Sequence, residues 1–327
     1  MLSPISWGAD FNKGVDAYER GDYATALREW TPFAEQGNAI AQCNLGVMYD
    51  NGKGVEKNPT EAMKWYRKAA EQGYARAQHN LGVMYNSGKG VLQDHKTAVK
   101  WFTLAAEQGD ARAQYNLGVM YDSGEGVLQD HKTAGKWYTL AAEQGYAIAQ
   151  YNLGLIYANG EGVEKNPTEA MKWFRKAAEQ GYADAQYNLG VMYASEEGVL
   201  QDHKTAVKWF TLAAEQGVAR AQYNLGWMYD NGRGVLQDHK TAVKWYTLAA
   251  EQGDARAQYN LGVMYNNGEG VIKDYVYSHM WLNIASSNGH QKAGEYRDSL
   301  AKKLTPQQLE RAQQLARECV AKDYKGC

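Results

Sequence analysis

Ala113-Gln114-Tyr115-Asn116-Leu117-Gly118-Val119-Met120-Tyr121 is the stretch on which the fold turns, because it returns along the chain with small changes and at constant spacing. Leu45, Leu81, Leu117, Leu153, Leu189, Leu225 and Leu261 stand 36 residues apart, as do Trp65, Trp101, Trp137, Trp173, Trp209, Trp245 and Trp281. Within the stretch, Ala113, Leu117, Met120 and Tyr121 fall at i, i+4, i+7 and i+8, the apolar stripe of an amphipathic helix. A fixed period of this size with helical spacing inside it predicts stacked helix pairs, each unit packing on its neighbours in one elongated all-α solenoid.

Working outward, each unit closes on a glycine, from Gly73 and Gly109 to Gly289, which suits the left-handed residue that ends a helix. The second helix of a unit carries the tryptophan, set against Ala105 and Ala106 or their equivalents as large-small packing. Its start is marked by Asn58, Pro59 and Glu61, and again by Asn166, Pro167 and Glu169: an N-cap, a proline at the first helical position and a capping box. Asp94, Asp130, Asp202 and Asp238 take the cap position elsewhere. Between the helices, Gly124-Glu125-Gly126-Val127 reads as a turn with positive φ and a valine tucked beneath the pair. Glu196 stands where other units have that first glycine, which predicts a locally loose unit.

The repeats run over 38–289. A helix pair with a tight turn precedes them over 9–37, and a final helix signalled by Thr305, Pro306 and Gln308 falls within 290–327. Residues 1–8 look like the end of a signal peptide, with Ser6 and Gly8 as the small residues of a cleavage site, so the mature protein is expected to begin at Ala9 and to be exported. Glu56 to Val163 closely matches Glu164 to Val271, which indicates a block duplication of three units and an array of adjustable length.

Composition removes several functions. The net charge of the 327 residues is −2 and Lys and Arg do not cluster, so nucleic acid is not expected as a partner. No apolar run approaches the roughly 20 residues that cross a bilayer. The three cysteines, Cys43, Cys319 and Cys327, have no zinc-like spacing. His95, His131, His203 and His239 each follow a cap aspartate and read as solvated helix starts without a second ligand in sequence reach. There is no phosphate loop and no catalytic triad, and no cofactor or metal is expected.

Leu117, Gly118, Met120, Tyr121, Gly124, Gly126, Val127, Asp130, Ala134, Trp137, Tyr138, Ala141, Ala142 and Gly145 together resemble the Sel-1-like repeat, a relative of the tetratricopeptide repeat in the tetratricopeptide-like superfamily, here expected in a bacterial protein. The resemblance implies a right-handed solenoid of antiparallel helix pairs that acts as a protein-interaction adaptor rather than an enzyme. One cysteine-rich branch of such proteins is associated with β-lactam binding or hydrolysis, but its cysteine pair in each repeat is missing here. A secreted host-contact factor is the other alternative.

On the first helix a second stripe is rotated away from the core: Arg112, Tyr115, Val119 and Asp122. By the tetratricopeptide comparison it lines the concave face, and it is where the units differ. Arg76, His79, Tyr151, Asp184, Tyr187, Arg220, Tyr223, Trp227, Asp230, Arg256 and Tyr259 are the other candidate contacts. Tyrosine and arginine give large contact area at little ordering cost, although the tyrosines can equally be gap fillers between repeats. Gln114 and Asn116, present in every unit, are expected to be structural hydrogen-bonding groups. The expectation is a periplasmic or secreted monomer that binds a protein or peptide, with Cys319 and Cys327 able to form a disulfide once exported.

Overall fold

The computed structural model describes residues 9–195 and 200–327, so residues 1–8 and Glu196, with the expectations placed on them, lie outside the described residues. Eighteen α-helices and no strands are found among the described residues. The chain divides into two compact units, 1–165 and 166–327.

The first unit holds α1 (Phe11–Glu19), α2 (Tyr23–Glu35), α3 (Ala39–Asn51), α4 (Pro59–Glu71), α5 (Ala75–Ser87), α6 (His95–Glu107), α7 (Ala111–Ser123), α8 (His131–Glu143) and α9 (Ala147–Asn159). Each helix packs on the next. The core is cut into cells one repeat wide: Phe102, Ala105 and Ala106 of α6 meet Leu117 and Met120 of α7, with Trp137 packed against them from α8. Gly118 sets how closely α7 and α8 approach, since a β-carbon there would lie 2.7 Å from the Tyr138 ring.

The turns explain how one repeat seats on the next. Gly124 caps α7 in the left-handed conformation, φ 75°, its N–H donating to the Met120 carbonyl at 3.0 Å. Gly126, φ 73°, lies over the start of α6 in the preceding repeat, where a β-carbon would meet the His95 carbonyl. Val127 packs into the core cell as the sequence predicts. Gln114 fixes the same junction: its amide donates to the Ala106 carbonyl at 3.1 Å and its carbonyl accepts from Gln144 at 2.7 Å.

The second unit holds α10 (Pro167–Glu179), α11 (Ala183–Ser195), α12 (His203–Glu215), α13 (Ala219–Asn231), α14 (His239–Ala250), α15 (Ala255–Asn267), α16 (Tyr275–Ser287), α17 (Ala293–Ala301) and α18 (Pro306–Ala321). It repeats the same cells and ends differently: Ala316 and Cys319 of α18 are buried against Met280 and Ile284 of α16. Cys319 and Cys327 are joined in a disulfide, with Cα atoms 5.6 Å apart.

The aspartate caps are as expected: Asp130 accepts from the Thr133 N–H at 3.1 Å and from its hydroxyl at 2.6 Å. The capping boxes are a correction. Asn58 accepts from the Glu61 N–H at 3.0 Å, but the Glu61 carboxylate turns to Lys64 at 2.8 Å instead of returning to the cap. A reciprocal box forms at Thr305 and Gln308, where the uncharged amide gains no ion pair from the Arg311 one turn on.

Candidate partner-binding face

The second stripe of the first helices is partly exposed in both units, and its members are tied to one another across repeats. In the first unit Arg76 is exposed, while Arg112 is half-buried and held by Asp110 at 2.7 Å. The Tyr115 ring lies 5.8 Å from that of Tyr138 and 5.5 Å edge-on from Tyr146. Tyr151 is half-buried. His79 is the exception among the candidates: it is only 9% exposed and lies against Phe102, with its ring nitrogens 3.2 Å from the Asn80 carbonyl oxygen and 3.1 Å from the Asn116 amide. Burial, aided by Arg112, pushes its pKa down.

In the second unit each arginine covers the tyrosine one repeat earlier. Arg220 lies 4.5 Å over Tyr187 and pairs with Asp184 at 2.8 Å, and Arg256 lies 4.1 Å over Tyr223 while held by Asp254 at 2.6 Å. Tyr259 stacks on His290 at 4.2 Å. The tyrosines therefore pack inward through one edge and present the rest to the stripe. Trp227, 41% exposed, is the largest apolar group on it.

Three cavities open along the stripe. One of about 280 Å³ involves Ile40, Val47 and Arg76 in the first unit. One of about 420 Å³ involves Val191, Ala194 and Trp227, and one of about 530 Å³ involves Tyr223, Arg256 and Tyr259, both in the second unit.

The helix-start histidines are a second correction. They are not merely solvated: Nδ1 of His95, His131 and His239 lies 2.8 Å from Asn86, Asp122 and Asp230 respectively. Asp122 and Asp230, read as partner contacts, thus lock the second helix to the end of the first. Ligand atoms of Asp122, His131 and Glu161 lie within 4.8 Å of one another. This trio brings together the last turn of one helix, the start of the next and the following repeat's loop, which spacing along the chain does not display.

One feature is not anticipated from the sequence. Leu92, Leu128, Leu200, Leu236 and Ile272, one residue beyond the tucked valine, are about nine-tenths exposed, Leu236 reaching 92%. Their signal is an apolar residue repeated at loop positions. Ala194, one of the places where the stripe differs between repeats, is not among the candidate contacts because alanine has no chemistry of its own; what carries information is the carboxylate it lacks.

These observations define an α-solenoid repeat protein with a partly open, tyrosine- and arginine-bearing helix face. The Sel1 repeat pattern matches residues 39–74, 75–110, 111–146, 147–182, 183–218, 219–254 and 255–290, and the chain belongs to that family. A Sel1 repeat protein from Oxalobacter formigenes is similar in structure, with 35% identity, a TM-score of 0.66 and coverage of 74% of this chain and 97% of that one. A protective antigen present in uropathogenic Escherichia coli strains is 31% identical over 98% of this chain and 93% of that one, with a TM-score of 0.47. An F-box protein of Arabidopsis thaliana shares 40% identity over 56 residues, 17% of this chain and 15% of that protein's length.

Proposed function

We propose that the chain is a non-catalytic scaffold whose first-helix stripe holds a protein or peptide partner, and that it works outside the cytoplasm as a monomer. The observation that carries this reading is what coincides on the first-helix stripe within each unit: the positions where repeats differ, with one cavity in the first unit, and with two cavities and the Arg-over-Tyr contacts in the second. Rigid helix pairs hold these groups in place before binding, so little ordering cost falls on the scaffold. The charges are of both signs and near the surface, so affinity should weaken as salt rises. A Cys319–Cys327 disulfide persists only in an oxidising compartment, which favours export.

The test compares the exported protein with a variant carrying Tyr115→Ala, Tyr151→Ala, Tyr187→Ala and Tyr223→Ala that remains helical. Loss of the captured partner supports the stripe; equal capture contradicts it. A chromogenic β-lactam should stay intact, and turnover that survives repurification would overturn the non-catalytic assignment. The row from Leu92 to Ile272 favours a second reading, in which the loop edge is the contact surface.

A further inference from the structure

The position that carries Asp50, Asp122 and Asp230 holds alanine at Ala158 and Ala194, and at Ala194 a cavity opens where the carboxylate would stand. Asp122 and Asp230 lie 2.8 Å from Nδ1 of His131 and His239, and Asp50 takes Lys89 from the following repeat's loop at 2.6 Å. Moved along by the repeat period, these three roles fall on Ala194, His203 and Arg233. Ala194 cannot accept a hydrogen bond. Nδ1 of His203 is consequently buried with no partner among the described residues, and Arg233 is exposed with no ion pair among them.

A third polar group lines the same space. Asn80, Asn152 and Asn260 lie beside the hydroxyls of Tyr66, Tyr138 and Tyr246, whereas Asn224 faces Phe210, which, like Phe102 and Phe174 in other repeats, has none. His203, Asn224 and Arg233 all line the cavity of about 420 Å³, together with the apolar Phe210, Trp227 and Met228. Trp227 stands where the other repeats have valine or leucine. No acidic residue lines the cavity among the described residues.

We propose that this cavity seats the C-terminal residue of a partner polypeptide, a large apolar one, whose α-carboxylate takes the place of the missing aspartate among His203, Asn224 and Arg233. Charge complementarity selects the carboxylate: three groups able to donate to it converge, one a guanidinium suited to a planar anion. The aromatic wall selects the rest. A chain-terminal Phe or Leu carries an apolar side chain and a carboxylate on one residue, whereas an aspartate or glutamate side chain would satisfy the donors and leave the exposed face of Trp227 wet. The proposal rests on the scaffold reading and narrows it to one anchor point.

The probe is the peptide acetyl-Gly-Gly-Phe with a free carboxylate, titrated calorimetrically into the full chain beside its C-terminal amide and beside amidated acetyl-Gly-Glu-Phe. The expected result is at least tenfold tighter binding of the free acid than of either amide. Ala194→Asp, which restores the residue found at Asp122 and Asp230 and so is compatible with the fold, should lower the acid's affinity at least tenfold while helix content stays unchanged. Arg233→Glu, the residue at Glu269, should do the same. Equal affinity for acid and amide, or unchanged binding to Ala194→Asp, overturns the proposal. So does preference for the internal glutamate. Each of these results leaves the stripe itself to be judged by the four-tyrosine comparison, which does not involve Ala194.

Discussion

At the scale of single residues, contacts within a repeat and across its boundary set the packing. Gly118→Ala tests the helix approach: alanine gains about 1 kcal/mol of helix propensity, but its β-carbon meets the buried Tyr138 ring, so the net loss should be about 1–2 kcal/mol in a denaturant titration. That glycine was legible in sequence, because its recurrence within an apolar stripe has one ready explanation. His79 was not. It occupies the tyrosine position of its repeat, yet a smaller imidazole sinks further and is gripped by Asn80 and Asn116, and spacing alone says nothing about depth. Its pKa is lowered by burial, as are those of His279 and His290. For a histidine held below its ordinary value near 6.5, the unfolded chain binds the proton more readily, so the stability is complete above that pH and is lost as pH falls beneath it. Thermal midpoints should therefore be flat above about pH 7 and fall towards pH 5, and His79→Tyr should make the fall shallower. Cys43 is buried with its thiol pushed up to about 11, so a thiol reagent should leave it unmodified in the folded protein at neutral pH.

At the scale of elements, helix limits were readable because their chemistry is local. Asparagine or aspartate at the cap, proline at the first position and glycine after the last turn are decided within a few residues. Asn58→Ala should cost about 1 kcal/mol, as measured by denaturant midpoint. Asp94, Asp130, Asp202 and Asp238 are held below the usual carboxylate range by the threonine hydroxyl and N–H three residues on. A lowered carboxylate stabilises above its ordinary value and ceases to do so as pH drops through the folded one, so these caps add to acid unfolding below about pH 4. What sequence did not reveal at this scale is competition: Glu61 has Lys64 within reach, and the ion pair displaces the second half of the box. The cap at the end of the chain depends on a covalent link. Cys327→Ser should lower stability by about 2–3 kcal/mol, with hydrogen exchange quickening in α18 and not in α12, since only Ala316, Cys319 and their neighbours rely on it.

At the scale of the whole molecule, the period fixed the helix pairs, their order and their core, because a repeat states the same packing problem many times over. The binding face was half legible. Variation between repeats pointed to the stripe, and the arginines and tyrosines lie along it, but the histidine–aspartate locks appear only once the second helix folds back on the first, joining residues nine apart, and the cavity at Ala194 only once the next repeat brings Trp227 and Arg233 beside His203. At Ala194 the signal is a side chain that is missing. Two surfaces now compete to meet a partner, the stripe and the leucine edge, and one measurement separates them. A photo-crosslinking benzophenone amino acid is placed in turn at Arg220 on the stripe, at Leu236 on the loop edge and at Lys208 on the exposed side of α12. Adducts with one partner protein from position 220, and none from 208 or 236, are the predicted result; adducts from 236 or 208 with position 220 silent would contradict the account.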